Sequence, residues 1–257
     1  MELPSLLALA SLLAALTGPP VMLPQDANTN ILMLLRWVHF LAGILWVGLL
    51  YFFNLVNVPF MKQVDAGMKP KVFEHLTLRA LWWFRWSSVV TVLAGITYWM
   101  MIGSTDARNG AASPGTAFGS FFAIWIAVFA IEYALIMVAK IDKGAILAVL
   151  MTVVVIAASW LFLLLNSHDW ESNRLLAIGI GGGMGLVMML NVWGIIWRNN
   201  KKVIQGTLAG SPPADAAKLG RQAFLASRTN AYLSIPMLFF MAAASHYPMF
   251  TNIITTP

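Results

Sequence analysis

Two histidines lie inside long apolar stretches of this sequence, and their placement is its clearest chemical signal. His39 occurs in Arg36-Trp37-Val38-His39, and His246 occurs in Ser245-His246-Tyr247-Pro248. A polar side chain is costly in lipid and usually has a function there. Gly43 follows His39 by four residues and lies on the same helix face, so it leaves space beside the imidazole.

Imidazoles from two helices at matching depth can supply both axial ligands of haem b. We therefore predict that His39 and His246 are axial ligands of a haem iron. The alternatives are a His39 hydrogen-bonded to a neighbouring helix and a His246 that caps the last helix. Arg36, about one turn from His39, can hold either a haem propionate or a lipid phosphate. The chain has no cysteine, which excludes thiolate ligands and covalent c-type haem on it.

Glu132 is the one carboxylate well inside an apolar stretch. An isolated charge there is expensive, so two interpretations remain open. It forms a structural pair with an arginine such as Arg79 or Arg85, or it transfers protons or lines a quinone site, which makes it our candidate catalytic residue. His75 and His168 fall in predicted loops and are expected to be surface residues.

A glycine cluster occurs within one of the apolar stretches. It cannot be a phosphate-binding loop, because no strand precedes it and no exposed helix N-terminus follows. Its small-xxx-small spacing favours close helix packing, and the alternative is room for a flat cofactor. The cluster comprises Gly179, Gly181, Gly182, Gly183 and Gly185.

The elements that must position these residues are membrane-spanning helices. Of the 257 residues, 60% are hydrophobic and 10% charged, and the mean hydropathy is +0.77. A spanning helix needs about 20 mostly apolar residues. Six such stretches occur, at Asn30 to Pro59, Ala80 to Gly103, Ala117 to Lys140, Lys143 to Asn166, Arg174 to Trp197 and Asn230 to Phe250.

The sequence thus predicts an all-α polytopic transmembrane helix bundle. We expect a single integral membrane domain over residues 1–257, with a core bundle of six spans at 30–250. Residues 1–23 contain a shorter apolar run, Leu6 to Leu16, which is a first helix or a signal-like segment. The bundle accordingly has about seven helices, or six if the first segment is cleaved.

Basic residues collect in alternate loops and so predict the orientation. Lysines and arginines gather after the first, third and fifth of the six stretches, including residues 199–229, predicted to be a cytoplasmic loop. The intervening loops and the C-terminus are then external. The net charge of +6 is explained by insertion and anionic headgroups rather than by nucleic acid. We expect a multi-pass protein of a bacterial inner (cytoplasmic) membrane.

Several blocks together resemble the membrane domain of the cytochrome c-coupled urate hydroxylases, the membrane-bound urate oxidases. They are Arg36-Trp37-Val38-His39 with Ala42-Gly43-Ile44-Leu45-Trp46-Val47-Gly48, Glu74-His75-Leu76, Trp83-Phe84-Arg85-Trp86, Asn230-Ala231-Tyr232-Leu233-Ser234-Ile235-Pro236-Met237 and Ser245-His246-Tyr247-Pro248. The resemblance covers most of the chain from Asn30 onward, and the block that begins at Asn230 is its most specific part.

The resemblance implies oxidation of urate to 5-hydroxyisourate and transfer of the electrons to a c-type cytochrome. This chain has no C-x-x-C-H motif, so the acceptor is expected to be another protein. Thr229 stands where the family usually has a histidine, and it cannot do a histidine's acid–base work. The interpretations are a haem b redox enzyme, a non-catalytic anchor or electron-transfer subunit of a respiratory complex, and a proton-coupled transporter that uses Glu132. No internal repeat supports the last.

Overall fold

The computed structural model describes residues 24–250 of the protein, and the predicted segment Leu6 to Leu16 lies outside them. The described part is helical and contains no strand, which confirms the all-α prediction. Its six continuous helices are α1 (Ala27–Gln63), α2 (Lys69–Asn109), α3 (Gly115–Val138), α4 (Gly144–Asn166), α5 (Asn173–Leu208) and α6 (Ala216–His246).

Two compact units divide the chain after Leu34. Of the first unit, residues 24–34 are described, and they contain the start of α1. There the Asp26 carboxylate accepts hydrogen bonds of 2.7 Å from both the backbone N–H and the hydroxyl of Thr29. This is the usual way to satisfy a free N–H at a helix start. Everything below concerns the second unit.

Five of the described helices, α1 to α5, are long and apolar enough to cross a membrane. This agrees with a multi-pass membrane protein. Polar residues such as Asn230 and His246 lower the mean hydropathy of α6. Nevertheless α6 packs along α5, and its residue Asn230 lies fully buried beside Asn191 of that helix. Part of the polar character of α6, including Asn230, therefore lies in the interior of the bundle, whereas His246 near its end is exposed.

The expected loop at residues 199–229 is mostly helical in the structure. The helix α5 continues to Leu208 and α6 begins at Ala216, which leaves only residues 209–215 as a connection. The reason is packing between the two helices: the buried Asn199 amide donates to the Gln222 side-chain oxygen at 3.2 Å. Hydropathy marks where a span leaves the membrane and does not mark where its helix ends.

Four of the helices contain a π-helical segment, a local widening often found at functional sites. The segments are Phe52–Asn57 in α1, Phe73–Thr77 in α2, Ala134–Val138 in α3 and Val192–Trp197 in α5. All four lie toward the end of the bundle where lysines and arginines gather.

The helix α5 is the centre of the bundle and contacts α2, α3, α4 and α6. Its glycines permit this. A Cβ on Gly183 would lie 1.9 Å from the Trp125 ring, and one on Gly179 would lie 2.4 Å from Phe162. The Trp125 indole N–H also donates to the Gly179 carbonyl at 3.1 Å. At these two positions the structure agrees with the packing interpretation.

Candidate functional site

A cavity of about 470 Å³ lies near the end of the bundle that contains His39. Its walls come mainly from α1, α2, α5 and α6 and are largely apolar. The volume falls within the range of about 300 to 1,000 Å³ typical of small-molecule and cofactor sites. Lining residues used below are Arg36, His39, Gly43, Thr91, Gly95, Gly182, Gly185, Met237, Met241 and Ser245.

A backbone carbonyl fixes the orientation of the half-buried His39 imidazole. The Nδ1 atom lies 2.8 Å from the Thr91 carbonyl oxygen. Because a carbonyl only accepts, Nδ1 must carry the hydrogen, and Nε2 keeps its lone pair. No group in residues 24–250 hydrogen-bonds to Nε2. Histidines that ligate metals usually donate their other N–H to such a carbonyl.

Glycines make the room around this imidazole. A Cβ on Gly95 would lie 2.8 Å from Cε1 and Nδ1 of His39. Gly95 was not found from the sequence, although it stands one turn after Thr91 and hence on the same face of α2. Gly43, which was predicted, lines the cavity, and a Cβ there would make only ordinary contact with the Thr91 methyl group at 3.6 Å.

Two members of the glycine cluster border the cavity instead of a neighbouring helix. A Cβ on Gly185 would meet no atom within 4 Å, and one on Gly182 would have its nearest neighbours at 3.7 Å. Both glycines line the cavity. Within the cluster, Gly179 and Gly183 pack against side chains of other helices, whereas Gly182 and Gly185 border the cavity; the alternative role, room for a flat cofactor, stays a prediction.

Arg36 lies at the rim of the cavity. Its guanidinium carbon is 5.9 Å from the centre of the Tyr98 ring. Within the part of the chain that the structure describes, it forms no salt bridge. No carboxylate of the described residues is therefore paired with its charge.

The structure does not bring His246 into the cavity with His39. The His246 side chain is exposed and does not line the cavity, although its neighbour Ser245 does. Its pairing with His39 stays a prediction. Two other lining residues, Met237 and Met241, present thioether sulfurs, which also ligate haem iron in some proteins.

Glu132 lies in a separate polar cluster in the middle of the bundle. The residue is completely buried, and its Oε2 accepts a hydrogen bond of 2.8 Å from Asn191. The same Asn191 amide nitrogen donates to Asn230 Oδ1 at 2.9 Å, so three helices meet here. The Thr229 hydroxyl, next to Asn230 in the chain, donates to the Leu225 carbonyl at 3.1 Å.

The predicted pairing of Glu132 with an arginine is not present among the described residues. The two salt bridges found there both join histidine to glutamate. Arg85 instead places its guanidinium carbon 4.0 Å from the centre of the Trp197 ring. His168 contacts Glu171 at 3.0 Å, and His75 contacts Glu74 at 3.8 Å; both side chains are largely exposed, as expected.

Together these features define a class, that of multi-pass helical membrane proteins with an apolar, histidine-bearing cavity between their helices. Comparison with known protein families narrows this further. Residues 74–255 match the family described as urate oxidase N-terminal. The match covers well over half of the chain, so the protein belongs to this family. It includes Glu132, Thr229 and His246, whereas Arg36, His39 and Gly43 precede it. No curated protein and no solved structure matches the chain.

Proposed function

We propose that this protein binds haem b at His39 and oxidises a small reductant of the urate class, passing the electrons to a c-type cytochrome or to subunits of a respiratory complex. The observation that carries the proposal is the His39 imidazole, which is fixed through Nδ1 on the Thr91 carbonyl and leaves Nε2 free in the large cavity.

The residues of the cavity fit a haem. Nε2 of His39 is a suitable iron ligand, and the faces at Gly182 and Gly185 are flat enough for a macrocycle because no Cβ projects there. Arg36 at the rim suits a propionate carboxylate, which an arginine can bind in a bidentate manner. A second axial ligand would be His246, as predicted, or one of the lining methionines.

Bound haem would supply one-electron steps. The protein's own residues would bind and orient the reacting groups. The Thr91 carbonyl holds the imidazole in one tautomer, and Arg36, which lines the cavity, would neutralise a propionate carboxylate. The apolar walls exclude bulk water. Conversion of urate to 5-hydroxyisourate with water as the oxygen source releases two electrons and two protons, so the site must also dispose of protons.

A second candidate is a non-catalytic electron-transfer subunit. The observation in its favour is Thr229, which replaces the histidine usual in the family and has its hydroxyl hydrogen-bonded to the Leu225 carbonyl. A threonine in that state is a poor acid or base at neutral pH. This candidate keeps the haem and lacks urate turnover.

The test is urate-dependent reduction of added cytochrome c by the purified protein in lipid nanodiscs. Wild type should reduce cytochrome c, H39A should lose at least about 90% of the rate because the iron loses its fixed ligand, and H75A, a change at an exposed histidine, should retain it. Haem without turnover would favour the non-catalytic subunit. The absence of haem from folded wild-type protein would contradict the proposal.

A further inference from the structure

A second cavity of about 190 Å³ lies at the opposite, lysine-rich end of the bundle. It is bordered by the π-helical segments of α1 and α2. Three polar atoms on its wall are buried and have no hydrogen-bond partner among the described residues: Asn54 Oδ1, Asn57 Oδ1 and Thr77 Oγ1. Such groups are expensive unless a small polar species satisfies them, so this cavity is suited to water.

One stripe of α6 lines both cavities. Near its start, Gly220, Ala223, Phe224 and Ser227 border the second cavity. Near its end, Met237, Met241 and Ser245 border the cavity of His39. Steps of three and four residues keep these positions on one helix face. Asn230 and Ser234, both fully buried, lie between the two groups on the same face.

Three polar residues in the middle of this stripe, Ser227, Asn230 and Ser234, each contact a polar side chain of another helix. Ser227 Oγ accepts from the Asn54 amide at 2.9 Å. Asn230 accepts from Asn191 at 2.9 Å. Ser234 Oγ lies 2.9 Å from the Tyr51 hydroxyl. Since Tyr51 lines the cavity of His39 and Asn54 lines the second one, the series extends from one cavity to the other.

Glu132 is attached to the middle of this series through Asn191. Its second oxygen, Oε1, and the Asn191 oxygen, Oδ1, are both buried without a partner among the described residues. Both are acceptors when the carboxyl group is ionised, whereas a proton on Glu132 would provide a donor beside them. Among the described residues no cationic side chain is paired with this carboxyl group, so no ion pair there holds it in the ionised form.

We propose that these residues form a proton path between the two cavities, with Glu132 as the proton carrier at its centre. Neighbouring polar residues of the series lie one helical turn apart on α6, which corresponds to about 5 to 6 Å. One bridging water can span such a distance. In each step a proton leaves one hydroxyl, carboxyl or water oxygen and binds the next, while the Asn191 and Asn230 amides only hold these groups in place, so no oxidant or reductant is consumed. The path does not require a haem; its use in removing the protons of substrate oxidation rests on the proposed function.

The experiment follows the Glu132 carboxyl group itself by infrared spectroscopy of the purified protein transferred into D₂O. The carbonyl stretch of the protonated acid is assigned as the band that E132Q removes; this replacement keeps an oxygen for the Asn191 amide. In wild type the band should shift within minutes, because solvent deuterons reach it along the path. In S227A/S234A, which removes a hydroxyl on either side, the shift should be slower by about tenfold or more.

The matched control is S87A/S88A, which removes two buried hydroxyls of α2 that bond only to backbone carbonyls of their own helix. Its exchange rate should equal that of wild type. The proposal is overturned if no band disappears in folded E132Q, if wild type does not exchange over hours, or if both double variants exchange alike. None of these readings depends on haem, so the outcome is separate from that of the turnover assay.

Discussion

At the scale of single residues, the function of His39 depends on neighbours that the sequence does not place beside it. The Thr91 carbonyl is 52 positions away along the chain, and it determines which imidazole nitrogen is free. Gly95 then allows the ring to lie flat against α2. The sequence singles out His39 as a candidate ligand by its type and depth, whereas its tautomer depends on the packing of two helices.

We expect G95A to displace the His39 ring, because the new methyl group would lie 2.8 Å from two of its atoms. Overpacking of this kind costs about 1 to 3 kcal/mol. The measurement is haem content per mole of protein together with the thermal unfolding midpoint, and both should fall.

The control for this variant is G119A, at a helix position where an added Cβ meets no atom within 4 Å. It should leave both quantities unchanged or raise the midpoint slightly, since alanine favours a helix more than glycine does. Equal haem loss in the two variants would contradict the role given to Gly95.

Glu132 shows the limit of charge-based reasoning at this scale. An arginine partner was a sound expectation for a buried carboxylate. The structure gives Oε2 of Glu132 the Asn191 amide as a donor and places Arg85 over Trp197 instead. Arginine stacks readily on aromatic faces, and the sequence around Arg85 is rich in tryptophan, but which ring it meets depends on α5.

At the scale of the helices, the glycine-rich part of α5 has two faces with different roles. We expect G183A to lower the thermal unfolding midpoint markedly, because its Cβ would overlap the Trp125 ring. The cost should be at least about 1 to 3 kcal/mol, as for other overpacked sites.

Two residues further along, G185A should leave the midpoint within error, because its Cβ would meet no atom within 4 Å. It should instead alter the cavity, which is read as a shift in the haem absorption bands. If G185A destabilised the protein as much as G183A, the division of α5 into a packing face and a cavity face would be wrong.

The spans of the helices were predictable, and their ends were not. Long apolar runs identified all six described helices. The continuation of α5 to Leu208 and the start of α6 at Ala216 depend on contacts such as Asn199 with Gln222, which are polar and non-local. The cavity could not be predicted from the sequence either, because its walls come from helices that are far apart in the chain.

At the scale of the whole molecule, the distribution of charge predicts the orientation in the membrane. Because the chain has no cysteine, single cysteines introduced into two connections can be probed on intact cells with a membrane-impermeant thiol reagent. S113C, in the connection before α3, should be labelled. S211C, in the connection between α5 and α6, should be labelled only after the cells are opened. The reverse pattern would contradict the predicted topology.

The central claim is that His39 binds a haem, and a reduced-minus-oxidised optical spectrum of the purified protein tests it most directly. Wild type should show a b-type α-band, H39A should lose it while remaining folded, and H75A should keep it. Loss in H246A as well would identify the predicted second ligand, and its retention would direct attention to Met237 and Met241. A folded, haem-replete preparation of wild type without such a band, or an unchanged band in H39A, would contradict the account.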